Sequence, residues 1–180
     1  YPARPAPVAQ NREAAQKLFD ELAAEGKPVN FRITLTASGF FKSIAEYLQS
    51  RLSQFRNVTV SIDIVDNATH DKRVFRDRNY QLSAQIVPVA DPEPNLYKLL
   101  RTNGQTNHMG YSNPKVDAAL EAGRGSTDAA VRTAAYSTLD TLVATDVPVI
   151  LIRNQESYTV HAPSLKGLTL HGDGSLLFDR

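Results

Sequence analysis

The chain has 180 residues, with 20 lysines and arginines against 19 aspartates and glutamates and a formal net charge of +1, which fits one domain of ordinary size or two very small ones. Its 42% hydrophobic and 22% charged residues are those of a globular chain and exclude disorder, collagen and coiled-coil arrays. With no cysteine, disulfide frameworks, thiolate zinc sites and cysteine nucleophiles are excluded together.

The charges are interspersed. The densest basic patch, Lys72, Arg73, Arg76 and Arg78, is interleaved with Asp77 and flanked by Asp71, which reads as a solvated helix face, with no nucleic-acid contact expected. The longest apolar run, residues 147–152, is interrupted by Pro148 and is far short of the roughly 20 residues of a membrane helix. Residues 1–10 carry Pro2, Pro5 and Pro7 and read as a linker-like segment.

In chain order, Ala14, Ala15, Leu18, Leu22 and Ala23 repeat at helical spacing behind an Asn11 cap, and Gly26 ends that helix. Val29, Phe31, Ile33 and Leu35 then alternate with polar residues at period two, which predicts a strand. Residues 40–55 form a second helix with Phe41, Ile44, Ala45, Leu48, Leu52 and Phe55 inward and Lys42, Glu46, Gln49 and Arg51 largely outward. Val58, Val60, Ile62 and Ile64 mark a second strand, and a strand–helix–strand unit of this kind makes parallel neighbours. A short polar helix near residues 69–77 leads to a buried third strand at residues 80–89.

Residues 91–114 are the least regular stretch, polar and rich in Asn, with an apolar patch at Leu96, Tyr97, Leu99 and Leu100. Asn113-Pro114 caps a helix to about Ala122. Thr127-Asp128 caps a longer one to about Thr145 with Val131, Ala134, Ala135, Leu139, Leu142 and Val143 inward. A last strand is expected at residues 147–152, and the tail offers short strand-like pieces. Alternating helices and parallel-type strands predict a layered α/β fold, most economically in one domain.

Catalytic motifs are missing. Thr36-Ala37-Ser38-Gly39 lacks the first glycine of a nucleophile elbow. No pair of histidines has the spacing of a helical zinc site, and Gly172-Asp173-Gly174 is followed by no helix or lysine that would cradle phosphate. The polar loop with Asn103, Gln105, Asn107, His108, Tyr111 and Asn113 offers hydrogen-bonding groups but no acid–base set, so recognition fits better than catalysis. No cofactor, metal or catalytic residue is expected.

Four stretches carry a resemblance: Ala14-Ala15-Gln16-Lys17-Leu18-Phe19-Asp20-Glu21-Leu22-Ala23; Ile44-Ala45-Glu46-Tyr47-Leu48-Gln49 with Leu52; Asn107-His108-Met109-Gly110-Tyr111-Ser112-Asn113-Pro114-Lys115-Val116-Asp117; and Thr127-Asp128 with Arg132, Tyr136 and Asp146-Val147-Pro148-Val149-Ile150-Leu151. In this order they resemble the second lobe of the family 5 extracellular solute-binding proteins, the oligopeptide, dipeptide and nickel receptors of ABC importers. The resemblance implies one lobe of a type II periplasmic-binding-protein fold, with a mixed, mostly parallel sheet flanked by helices. Residues 11–157 would form the lobe, and residues 158–180 a tail returning to a first lobe.

It also implies a peptide or small-molecule ligand in an interlobe cleft, an ABC permease as partner, an extracytoplasmic place and a membrane link only through an anchor outside this chain. The cleft-facing residues are then Thr36, Ser38, Phe40, Val87, Val89, Asp91, Asn103, Asn107 and Tyr111. Dipeptide and oligopeptide receptors place an acid after the third strand, and Pro88 or Ala90 falls there in this chain. No arginine stands in the loop after the first strand to take a peptide carboxylate. An effector-binding domain of a regulator, or an extracytoplasmic hydrolase, is the alternative; the lack of a helix-turn-helix segment and of basic bias speaks against the first, and the lack of an acid–base set against the second.

Overall fold

Asn11 begins the first regular element because its side chain accepts from the Ala14 N–H at 2.9 Å, which satisfies one of the donors a helix start leaves free. The computed structural model describes residues 10–87, 91–152, 160–170 and 176–178. It divides into two compact units, one within Ala6–Ile86 and the other within Val87–Arg180. The linker-like residues 1–9, Val89 and residues 153–159 of the sequence reading lie outside the described residues.

In the first unit, helix α1 (Arg12–Ala24) is followed by strand β1 (Val29–Thr36), helix α2 (Gly39–Leu52) and strand β2 (Val58–Val65). The strands pair in parallel from Val29 beside Val58 to Thr36 beside Val65. Ile33, Leu35, Ala45, Val58 and Val60 are buried, and Phe19, Phe41, Leu48, Leu52 and Phe55 pack on them. The expected inward stripe of α1 is displaced by one residue. Leu18 is 60% exposed, whereas Phe19 meets Phe55 edge-on at 5.2 Å.

The cause of that rotation is polar. Gln16 exchanges bonds with the Arg56 backbone, and Asp20 accepts from the Arg56 and Asn57 side chains at 2.8 and 2.9 Å. These bonds turn α1 so that residues 16 and 20 face the loop before β2. Gln49, expected outward, donates instead to the Val60 carbonyl at 2.8 Å. It thereby satisfies a backbone acceptor of β2 that faces no further strand.

The third strand is reduced to a single parallel bridge of Leu82 to Ile33, with Thr34 N–H donating to the Leu82 carbonyl at 2.9 Å. Next to it the Gln81 side chain accepts from the Arg32 N–H at 2.9 Å, so a side chain occupies the edge a ladder would need. Between β2 and this bridge lie one turn of helix, α3 (Asn67–His70), and a π-helical turn, Asp71–Arg76.

In the second unit, α4 (Asn95–Leu100) gives the apolar patch of the loop a helical form that the sequence reading left irregular. It joins α5 (Pro114–Arg124) and α6 (Ala129–Asp146). Asn113 caps α5 and Asp128 caps α6, the latter accepting from Ala130 and Val131 at 2.8 and 3.0 Å. Leu100, Val116, Ala119, Leu120, Tyr136 and Leu139 form the core. Val131, expected inward, is exposed, because α6 turns Ala135, Tyr136 and Leu139 onto α5.

Residues 147–152 form no strand. Val147 ends α6 in a left-handed conformation with φ 50°, Pro148 contributes no N–H, and Val149 to Ile152 stay exposed. A strand needs a neighbour for its backbone groups, and among the described residues none pairs with this run. Two short tail segments do pair with each other, β3 (Leu168–Leu170) and β4 (Leu176–Phe178), antiparallel from Leu168 beside Phe178.

Gly123 sets the approach of α5 to α6. A Cβ there would stand 2.6 Å from the Tyr136 ring and 2.9 Å from its hydroxyl, and Tyr136 is itself buried. Gly123→Ala is therefore expected to destabilise the chain by about 1–2 kcal/mol, the overpacking cost exceeding the roughly 1 kcal/mol that alanine gains in a helix. Urea denaturation checks this, and a more stable variant would contradict it.

Candidate functional site

Parallel strands that start in register also end side by side, and the loops leaving them must flank one another. Thr36 and Val65 end β1 and β2 as register partners. Around them Thr36, Ala37, Ser38, Val65, Asp66 and Asn67 line an open depression of about 480 Å3. Ser38 stands at the N-cap of α2, and its side chain makes no capping bond. The first turn of this 14-residue helix therefore starts without a side-chain acceptor from Ser38.

The opposite rim is held rigidly. Asp66 accepts from the Thr69 N–H at 2.9 Å and from the Thr69 hydroxyl at 2.7 Å, and the hydroxyl bond, above all, holds its carboxyl below the usual carboxylate range. The depression thus combines hydroxyls, an amide side chain and a carboxylate already engaged within its own turn. It offers hydrogen bonds and no nucleophile–base pair. Phe40 lies in the first turn of α2, two residues past Ser38 and outside the lining, edge-on to Phe41 at 5.3 Å.

The remaining predicted residues belong to the second unit, and three of them are tied internally. Asp91 pairs with Arg132 through both carboxylate oxygens at 3.0 and 3.1 Å and accepts from the Glu93 N–H. Asn107 is buried; its Nδ2 donates to the Arg101 and Tyr111 carbonyls at 2.9 and 2.7 Å, and its Oδ1 accepts from the Tyr111 N–H at 3.0 Å. The Tyr111 hydroxyl donates to Asp146 at 2.5 Å, beside the Asn113 side chain at 2.6 Å. The signature around Asn107, Tyr111 and Asn113 therefore fastens the loop to itself and to the end of α6, and leaves Asn107 no free polar atom for a ligand.

Of the others, Asn103 is exposed at a left-handed turn with φ 58°, and Val87 is 37% exposed. Asp66, which the sequence offers only as part of a cluster with His70 and Asp71 on a solvated turn, and Asn67 stand outside the cleft-facing set that the sequence suggests. The signal was available, since two alternating runs joined by one helix make parallel strands whose following loops must meet.

Burial, and then the bond to Asp146, push the Tyr111 phenol up to about 12, above its ordinary value near 10. The folded chain then keeps a proton that the unfolded chain loses. This stabilisation is fully present below about pH 10 and is lost as pH rises toward 12. Tyrosinate absorbance should show a late transition whose last part Tyr111→Phe removes, burial raising Tyr80 and Tyr136 and the Glu121 bond raising Tyr97 as well. Asp146 is held below the usual range by Tyr111 first and then Asn113, so its contribution is present above the ordinary carboxylate value and is lost on acidification.

Among the described residues, no group of three His, Asp or Glu side chains is placed to hold a metal ion, and no helix is long and apolar enough to cross a membrane.

The class this defines is an α/β fold, a parallel pair flanked by helices with a depression at the strand ends. The comparisons place it among the periplasmic-binding-protein folds. The pheromone receptor PrgZ, a structure described with its mode of peptide binding, matches with TM-score 0.70 and 20% identity over 96% of this chain and 35% of its own. The ABC transporter-associated periplasmic binding protein DppA from Helicobacter pylori, in complex with the peptide STSA, matches with TM-score 0.63 and 21% identity over 77% of this chain and 28% of its own.

Protein XP55 of Streptomyces lividans is 33% identical over 114 residues, 61% of this chain and 21% of that protein. No protein-family profile matches. The chain thus spans about a fifth of that relative and about a third or less of the two solved proteins, and its fold is that of part of a family 5 solute-binding protein.

Proposed function

We propose that the chain is the second lobe of an ABC-importer solute-binding protein, which captures a peptide-like or other small solute outside the cytoplasm and presents it to a permease. The observation that carries this reading is the open depression at the paired ends of β1 and β2, in a fold shared over most of the chain with peptide-binding receptors. Ligands of open α/β sheets lie outside the carboxyl ends of the strands. Residues 11–157 form the lobe on this reading, and residues 158–180 return to the first lobe.

In the first unit the ligand-facing set is Thr36, Ser38, Asp66 and Asn67, followed by Phe40. In the second unit, taken by itself, Val87 and Asn103 are the exposed candidates, and Asp91, Asn107 and Tyr111 brace its own segments. No catalytic step is assigned, because the depression holds no acid–base pair. The test is to purify the longer protein that contains this chain and to identify its retained solute by mass spectrometry. Asn67→Ala should weaken binding of that solute by about tenfold, the loss of one well-formed hydrogen bond. Unchanged affinity in Asn67→Ala and Ser38→Ala together would move the site elsewhere.

A further inference from the structure

His70 is a buried side chain that the binding reading leaves unused. It ends α3, the turn that begins with the depression's Asn67. Its ring meets Phe75 edge-on at 5.4 Å, and its Nε2 lies 3.1 Å from Ser83 Oγ. Its Nδ1 has no hydrogen-bond partner and lies 3.7 Å from Asp71 Oδ1.

Both ends of this contact lead back to the site. Toward the chain start, the His70 N–H donates to the Asp66 carbonyl at 2.9 Å, and Asp66 holds Thr69 through both carboxylate oxygens. On the other side, Ser83 follows Leu82, whose carbonyl accepts from the Thr34 N–H at 2.9 Å and whose N–H donates to the Arg32 carbonyl at 3.3 Å. Thr34 is two residues before Thr36 on β1. Besides the β1–β2 ladder that sets Thr36 beside Val65, one imidazole–hydroxyl bond thus links the two rims through their flanking segments.

We infer that His70 is a positioning residue of the strand-end depression: its bond to Ser83 fixes the turn carrying Asp66 and Asn67 against the strand that presents Thr36 and Ser38. The inference rests on reading that depression as the ligand site. The geometry also assigns the proton. A carboxylate 3.7 Å from Nδ1 favours N–H over a lone pair there, and the atom bonded by one ring nitrogen sets the role of the other. His70 therefore carries its proton on Nδ1, and the Ser83 hydroxyl donates to Nε2.

The experiment is nitrogen-15 NMR of the labelled 180-residue chain at neutral pH, without ligand. The His70 ring is expected as the Nδ1–H tautomer. Ser83→Ala should shift the Asp66 and Asn67 amide resonances and lower hydrogen-exchange protection of the Thr69 and His70 amides by about fivefold, the factor for one ordinary hydrogen bond. Ser83→Thr, which keeps the hydroxyl, should restore both. Loss of packing alone would move Ser83→Ala and Ser83→Thr alike.

A ring protonated on Nε2, or averaging as a free imidazole does, would overturn the assigned tautomer. Unmoved Asp66 and Asn67 resonances in Ser83→Ala would overturn the positioning role. Replacing Ser83 leaves the buried imidazole in place, so the test does not depend on a His70 variant that fails to fold. Because no solute is present, a longer protein that bound none would remove the transport reading and leave this result standing.

Discussion

On the proposed reading, the 180-residue chain is expected to bind peptides and other small solutes no more tightly than about millimolar, about a thousandfold more weakly than a protein that carries both lobes. The depression is open, and its rims supply two hydroxyl side chains, an asparagine and a carboxylate already bonded to Thr69. A ligand lying there loses water on one side only. A second lobe would desolvate the other side and complete its hydrogen bonds, and removing contacts worth roughly 4 kcal/mol weakens binding about a thousandfold. Titration calorimetry of the chain and of the longer protein with the same retained solute checks this. Submicromolar affinity of the chain alone, or turnover of any substrate by it, would contradict the half-site reading.

Asn107→Ala is expected to destabilise the chain by about 3 kcal/mol while removing no ligand contact. The side chain is 2% exposed and makes three bonds of 2.7 to 3.0 Å to the backbone of residues 101 and 111. Truncation strands the Tyr111 carbonyl and N–H inside the unit, while the Arg101 carbonyl keeps the Gly104 N–H, and each buried group left unpaired costs roughly 1–3 kcal/mol unless water reaches it. That sum is a large part of the roughly 5–15 kcal/mol by which a domain is stable. Asn107→Asp should be no milder, since it turns a carboxylate oxygen toward the two carbonyls. Urea denaturation followed by circular dichroism reads both variants. A fully stable Asn107→Ala chain whose longer protein had lost its solute would return Asn107 to the ligand-facing set.

These two results separate residues that touch a solute from residues that hold the frame, a distinction invisible in the sequence. Asn103, Asn107 and Tyr111 look alike there, as polar groups in an irregular loop. In the structure Asn103 is exposed, whereas Asn107 and Tyr111 are bonded to the backbone around them and to Asp146. Arg132 does the same for Asp91 from 41 residues away.

What the sequence by itself determined is whatever acts within a few residues. Period-two alternation set β1 and β2 and most of their inward faces, with Ile64 exposed and Thr34 buried against that pattern, and apolar spacing set α2. Asn11, Asn113 and Asp128 set three helix starts, because a cap bonds amides two or three residues ahead. The loops after two parallel strands were also implied to meet, although only the loop after β1 was read as part of the site.

The tertiary structure alone decided which partners the backbone and polar groups found. Gln16 and Asp20 turned α1 toward Arg56 and Asn57, Gln81 took the edge that a third strand would have used, and residues 147–152 found no neighbour among the described residues to make them a strand. Each depends on segments tens of residues apart arriving at one place. A local pattern states that a group needs a partner, and the packed chain states which partner it has, because hydrogen bonds reach only about 3 Å.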